Sequence, residues 1–164
     1  MKVIKNSITD DLHQKCVIDI EDKKPKSCWT SSSLVWPPEI RQGIDGSCIF
    51  TPVSDNICKL LKQELDPLLP KPYGELIFQY YIWQWNSGIS WHQDKFRFGA
   101  TLYLNDFWNA NGGGWFMWED VDGYHSLLPE KNLLSINDNN EYHCVTPVSP
   151  NAPMFRYTIQ IWGK

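Results

Sequence analysis

His92 and Asp94 stand two residues apart in the stretch Trp91-His92-Gln93-Asp94-Lys95, just after the Asn86-Ser87-Gly88 turn that closes a long aromatic run. On an extended backbone, residues i and i+2 project from the same face, so an imidazole and a carboxylate are aimed at one point. Such a pair is half of a metal site. By itself it is equally compatible with surface polar residues or a hydrogen-bonded couple, and a third ligand has to come from elsewhere in the chain.

Two histidines remain downstream, His125 and His143. His143 lies in the β-type segment Glu141-Tyr142-His143-Cys144-Val145, and strands of a rolled sheet can bring it to His92 across a long separation in sequence. Two histidines and one carboxylate on one face of an octahedron form the open site used by non-haem Fe(II) oxygenases. His125 follows the turn Asp122-Gly123 and is expected to have a surface or supporting role.

Beyond His143, the segment from Phe155 to Trp162 alternates apolar and polar residues, which is strand periodicity. One face is core and the other carries Arg156, Thr158 and Gln160. If that second face met solvent, Arg156 would be an ordinary surface charge. If it lines the inside of a small barrel, the guanidinium is a fork for a carboxylate, which arginine can bind in a bidentate way.

The order His-x-Asp, Tyr103-Leu104-Asn105, the glycine turn at 112 to 114, His143-Cys144-Val145-Thr146-Pro147-Val148, Arg156 and Trp162 resembles the Fe(II)/2-oxoglutarate-dependent dioxygenases, most closely the prolyl hydroxylase branch. The resemblance covers residues 75 to 164. It implies a double-stranded β-helix core, a jelly roll of the cupin-like kind. It implies that His92, Asp94 and His143 are the metal-binding and catalytic residues for Fe(II). Arg156 would pair with the distal carboxylate of 2-oxoglutarate, Tyr103 would hydrogen-bond the same group, and Thr101 on the same strand face would share that work.

The implied reaction consumes 2-oxoglutarate and O2, releases succinate and CO2, and hydroxylates an unactivated C–H bond, with ascorbate in support. The expected substrate is a prolyl or other residue of a protein or peptide. A free amino acid or small metabolite, a zinc hydrolase and a non-catalytic metal-binding or sugar-binding module are the alternatives. Asp94 favours hydroxylation, since related halogenases have a small residue at that position. Two departures from the family stand out: Trp85 replaces a tyrosine before the turn glycine, and Arg156 lies further from the second histidine, which implies a longer turn over Ser149 to Pro153.

These residues need elements to hold them. Short strand segments with turns between them run from Leu76 to Trp162, which suggests a sandwich, jelly roll or barrel. Ser54 is a suitable cap for a helix in which Ile57, Leu60, Leu61 and Leu65 recur at helical spacing until Pro67. The fold class expected is mainly β with N-terminal helices, one domain over 1 to 164, with residues 1 to 70 as helical and loop support. Trp115, Trp118 and Arg97 are candidates for the rim, and the Val35 to Gly46 loop for substrate choice.

At 164 residues the chain can bury a core without disulfides. A net charge of −4 and only three arginines argue against a nucleic-acid partner. Five cysteines without close metal-type pairs fit reduced thiols and a cytoplasmic setting. No apolar run approaches the length of a membrane span.

Overall fold

The computed structural model describes residues 1–41 and 46–164, so the Val35 to Gly46 loop is described only in part and residues 42–45 lie outside. The chain begins with β1 (Lys2–Lys5), α1 (Asp10–Lys23), β2 (Thr30–Ser31), a 3-10 turn, and the single-turn helix α2 (Pro38–Arg41). Next come β3 (Cys48–Pro52) and α3 (Asp55–Leu65). The remainder is strand: β4 (Leu76–Trp83), β5 (Ile89–His92), β6 (Phe98–Tyr103), β7 (Phe116–Asp120), β8 (Gly123–Leu127), β9 (Leu133–Asn137), β10 (Tyr142–Val145) and β11 (Arg156–Gly163).

The strands form two antiparallel sheets, a seven-stranded one in the order β1-β9-β6-β11-β4-β3-β2 and a four-stranded one in the order β5-β10-β7-β8. The fold is the mainly β jelly roll with N-terminal helices that the strand spacing and the resemblance predict. The first 70 residues do more than support it: β1, β2 and β3 extend the larger sheet on both sides.

Helices α1 and α3 cover the outer face of that sheet. Thr9 caps α1 by accepting from the Leu12 N–H at 3.3 Å, and Asp10 and Asp11 favour the positive end of the helix. Leu12, Cys16 and Ile20 recur at four-residue spacing and are buried. In α3, Ser54 stands at the N-cap position but makes no capping bond, because its hydroxyl donates to Asp19 of α1 at 2.6 Å. That bond couples the two helices. Ile57, Leu61 and Leu65 pack onto Phe78, Tyr80, Leu102 and Ile159 of the sheet. Burial of each such aliphatic side chain stabilises the fold by about 1.5–3 kcal/mol.

β11 shows both consequences of its alternation. Ile159 and Ile161 belong to the outer core under the helices, while Arg156 and Thr158 are fully buried on the inner face, so the solvent-facing alternative for Arg156 is excluded. The inner face meets the smaller sheet through Tyr81, Trp83, Ile89, Phe116 and Val145. Among the described residues, no helix is long and apolar enough to cross a membrane.

Candidate functional site

Antiparallel pairing of β5 with β10 places His143 directly opposite His92, with ring centroids 4.3 Å apart. The register is held at the turn before β5, where the Asn86 N–H donates to the Val148 carbonyl at 2.7 Å and the Val148 N–H to the Ser87 carbonyl at 2.9 Å. After β5 the chain crosses toward the larger sheet, and Asp94 comes to rest over Gly99. A Cβ at Gly99 would lie 2.6 Å from Asp94 Oδ2, so any side chain there would displace the carboxylate from this position. A glycine inside a strand is a sign of such close approach.

His92 Nε2 and His143 Nε2 each lie 3.7 Å from an Asp94 oxygen, and the three ligand atoms are within 4.8 Å of one another. At 3.7 Å these groups are not hydrogen-bonded to each other. They converge on a shared point. Their other ring nitrogens are engaged: His92 Nδ1 lies 2.7 Å from the Ser90 carbonyl and His143 Nδ1 2.9 Å from the Glu141 carbonyl. A carbonyl can only accept, so His92 Nδ1 carries the proton and its Nε2 presents a lone pair to the centre; at His143 Nδ1 the Glu141 carbonyl at 2.9 Å is nearer than the Asn137 amide nitrogen at 3.2 Å, and the shorter contact favours the same tautomer. Asn137 braces the Glu141 carbonyl, donating to it at 3.0 Å and accepting from the Glu141 N–H at 2.8 Å. Burial, then the neighbouring His143, pushes the pKa of His92 below its usual value, which favours the neutral, metal-ligating form.

A cavity of about 680 Å³ opens beside the triad. Thr101, Ser135 and Gln160 line it from the larger sheet, and Trp36, Trp91 and Phe96 stand among its aromatic walls. Arg156 lies within the same barrel at the start of β11. Its guanidinium carbon is 5.0 Å from the Trp83 ring and 5.1 Å from the Tyr103 ring, a cation held against two π-faces. Gly114 makes space for it, since a Cβ there would approach Arg156 Cδ to 2.9 Å.

None of the three guanidinium nitrogens has a hydrogen-bond partner among the described residues, and neither does the Tyr103 hydroxyl. The phenol stands near Arg156 and Ser135 without an ordinary hydrogen bond to either. Burial lowers the pKa of Arg156 and raises that of Tyr103, the latter opposed by the adjacent positive charge. A buried cation without an acceptor costs several kcal/mol. An anion supplied by a ligand would relieve that cost.

The structure thus brings His92, Asp94 and His143 together and places Arg156, Tyr103 and Thr101 on neighbouring inner positions. Thr101 differs in detail from the expectation, because its hydroxyl donates to Gln160 Oε1 at 2.8 Å. The expected rim residues lie elsewhere. Trp115 donates to the Ala110 carbonyl, Arg97 contacts the Lys71 carbonyl, and Trp118 stacks on His125 at 5.1 Å. Trp85 is half exposed against Phe155, away from the cavity. The rim comes instead from Trp36, Pro37 and Ile40, in the described part of the Val35 to Gly46 loop. Gly99, Asn137, Ser135 and Gln160 are further site residues; of these only Gly99 and the inward alternation of Gln160 leave a trace in the sequence.

No protein-family model and no curated protein sequence matches this chain. Solved structures do. A prolyl-4-hydroxylase from Pseudomonas putida superposes with a TM-score of 0.72 at 15% identity, over 99% of this chain and 91% of that one. A Trichoplax adhaerens prolyl hydroxylase, in complex with a peptide from the oxygen degradation domain of hypoxia inducible factor, gives 0.78 at 16% identity, over 99% and 82%. HygX from Streptomyces hygroscopicus, with nickel, 2-oxoglutarate and hygromycin B bound, gives 0.66 at 10% identity, over 98% and 81%. This chain has their fold. At such identities the likeness extends to the architecture and not to any substrate.

Proposed function

We propose that this protein is an Fe(II)- and 2-oxoglutarate-dependent dioxygenase that hydroxylates an unactivated C–H bond, with a prolyl or other residue of a protein or peptide as substrate. The observation that carries the reading is Arg156: a fully buried guanidinium with no acceptor among the described residues, inside the barrel that also holds the triad. A zinc hydrolase or a metal-binding module would have no use for that charge. A carboxylate ligand would pair with it.

In this reading His92 Nε2, His143 Nε2 and Asp94 would hold the iron, a donor set suited to a divalent metal with open positions. Bound there, Fe(II) with 2-oxoglutarate and O2 supplies the oxidising power for hydroxylation, releasing succinate and CO2. The chain's own residues bind and orient. Arg156 takes the distal carboxylate with its planar fork, and the Tyr103 hydroxyl donates to the same group. The Ser90 and Glu141 carbonyls keep both imidazoles in the ligating tautomer. Trp36, Trp91 and Phe96 shield the cavity from water and contact the apolar part of the substrate.

The peptide complex of the Trichoplax neighbour supports a polypeptide substrate. The hygromycin B held by HygX supports a small molecule as the second reading. The test begins with the protein loaded with Fe(II) under anaerobic conditions and titrated with 2-oxoglutarate, followed by succinate assay in air. A visible charge-transfer band and succinate release are expected. Iron-loaded protein that gives neither would overturn the assignment.

Arg156→Met sharpens it. Replacing an uncompensated buried cation by an apolar side chain leaves the apo protein as stable or more stable. At 2-oxoglutarate concentrations near 100 times the dissociation constant, the wild type gains about 2.7 kcal/mol of stability. The variant is expected to lose that ligand-induced shift in Tm, and retention of it would remove Arg156 from the site.

A further inference from the structure

Three adjacent strands of the larger sheet bring Ser135, Thr101 and Gln160 into one cross-strand row, Thr101 pairing with Ser135 of β9 and with Gln160 of β11. All three line the cavity. On one side of this row lies the Asn137–Gly99–Trp162 row, over which Asp94 sits. On the other side lies the Tyr103–Thr158 row, next to Arg156. The row therefore lies between the two ends of the site.

Within it, the Thr101 hydroxyl donates to Gln160 Oε1 at 2.8 Å. That bond uses the only donor Thr101 has. It also turns the Gln160 amide so that the Nε2 hydrogens, which have no acceptor among the described residues, are left for the cavity. A carboxylate presents about four lone-pair positions. The Arg156 fork can fill two and the Tyr103 hydroxyl one. One position is left for a further donor.

We propose that Gln160 Nε2 supplies it, donating to the distal carboxylate of the 2-oxo acid, and that Thr101 is the positioning residue that fixes the amide rather than a direct partner of that carboxylate. The assignment rests on the 2-oxoglutarate reading above and goes further by naming the residue that tunes selectivity for a dicarboxylate. Gln160→Leu deletes the donor without adding charge. Gln160→Glu sets a carboxylate against a carboxylate. Thr101→Val frees the amide to rotate, and Thr101→Ser keeps the hydroxyl.

The deciding experiment is an anaerobic calorimetric titration of the Fe(II)-loaded protein with 2-oxoglutarate and with 2-oxovalerate, which has the same chain length but a methyl group in place of the distal carboxylate. Gln160→Leu is expected to weaken 2-oxoglutarate roughly 10- to 100-fold, the range for a hydrogen bond to a charged group, and to leave 2-oxovalerate unchanged. Gln160→Glu should lose more, and Thr101→Val a smaller part that Thr101→Ser restores. Equal 2-oxoglutarate affinity in Gln160→Leu and wild type, or an equal loss for both acids, overturns the inference. If Gln160→Leu does not fold, the Thr101 pair decides it: equal affinities in Thr101→Val and Thr101→Ser would overturn the proposal. Wild-type protein that binds iron but no 2-oxoglutarate refutes the proposed function instead, so the two failures are distinguishable.

Discussion

His143 and His125 occupy the same cross-strand row of the smaller sheet, with Trp118 between them, and each stands beside an aspartate. Their surroundings differ in one decisive respect. His125 Nε2 is 2.8 Å from Asp120 Oδ1, and Asp120 also accepts from the Asp122 N–H at 3.0 Å and from the Trp118 indole at 3.3 Å. Those contacts, the Asp122 N–H first, hold the Asp120 carboxyl below the usual carboxylate range. The pair is closed on itself at an edge strand. His143 and Asp94 stand 3.7 Å apart, with His92 completing the group and every Nδ1 engaged by a carbonyl. A histidine beside an aspartate is common. What makes a candidate metal centre is that its ligand atoms are not spent on each other and point to one place.

The largest effect should come from breaking the open pair and sparing the closed one. Asp94→Ala is expected to abolish iron binding and succinate formation, whereas Asp120→Ala retains both within about twofold, as for a surface substitution; metal analysis after dialysis, with a succinate assay, compares them. A smaller loss is expected from Gly99→Ala. The added methyl displaces Asp94 Oδ2, which should cost roughly 10- to 100-fold in metal affinity, as when a ligand's orienting partner is removed. Competition with a chelator reads it out, and unchanged affinity would show that the carboxylate can bind from elsewhere.

The smallest effect concerns a third histidine environment. His13 on α1 is 1% exposed, its Nε2 has no hydrogen-bond partner among the described residues, and burial followed by the Lys131 charge lowers its pKa. Below pH about 6.5 the unfolded chain binds a proton at this residue that the folded protein does not, so stability falls with acidity. Above that pH the residue contributes nothing to the slope. His13→Leu should flatten the decline that sets in below pH about 6.5, measured by urea unfolding of the apo protein. An identical slope in variant and wild type would count against a depressed His13.

Much of the site was legible because its signals are short-range. His-x-Asp on an extended chain, and the alternation that turns Arg156, Thr158 and Gln160 one way, are periodicities of two; the repeated short strands indicate a sandwich, jelly roll or barrel, and the resemblance alone singles out the jelly roll and joins His143 to the pair. The N-terminal third was not legible as sheet. β1 has four residues and finds its register only against Leu133 to Ile136 of β9, a pairing that no local pattern announces. α1 buries a histidine and a cysteine on its inner stripe, which blurs its apolar face. β8 reads Gly-Tyr-His-Ser-Leu and is a strand because β7 lies beside it. The Asn137 brace and the Thr101–Gln160 bond depend on strands meeting in a register that appears only once the sheets are folded.

β11 is central in the larger sheet, flanked by β6 and β4, although it follows every other strand in the chain. During synthesis, β4 and β6 therefore wait with open edges until residues 156 to 163 arrive to fill the gap between them. Unpaired edges of this kind invite pairing with other chains, and long-range strand insertion is slow. Because the same strand carries Arg156 and Gln160, a molecule that has closed its sheet has also installed those two side chains. A chain stalled before that point lacks both the seal and the inner lining, so it would present to the cell's protein triage an aggregation-prone sheet.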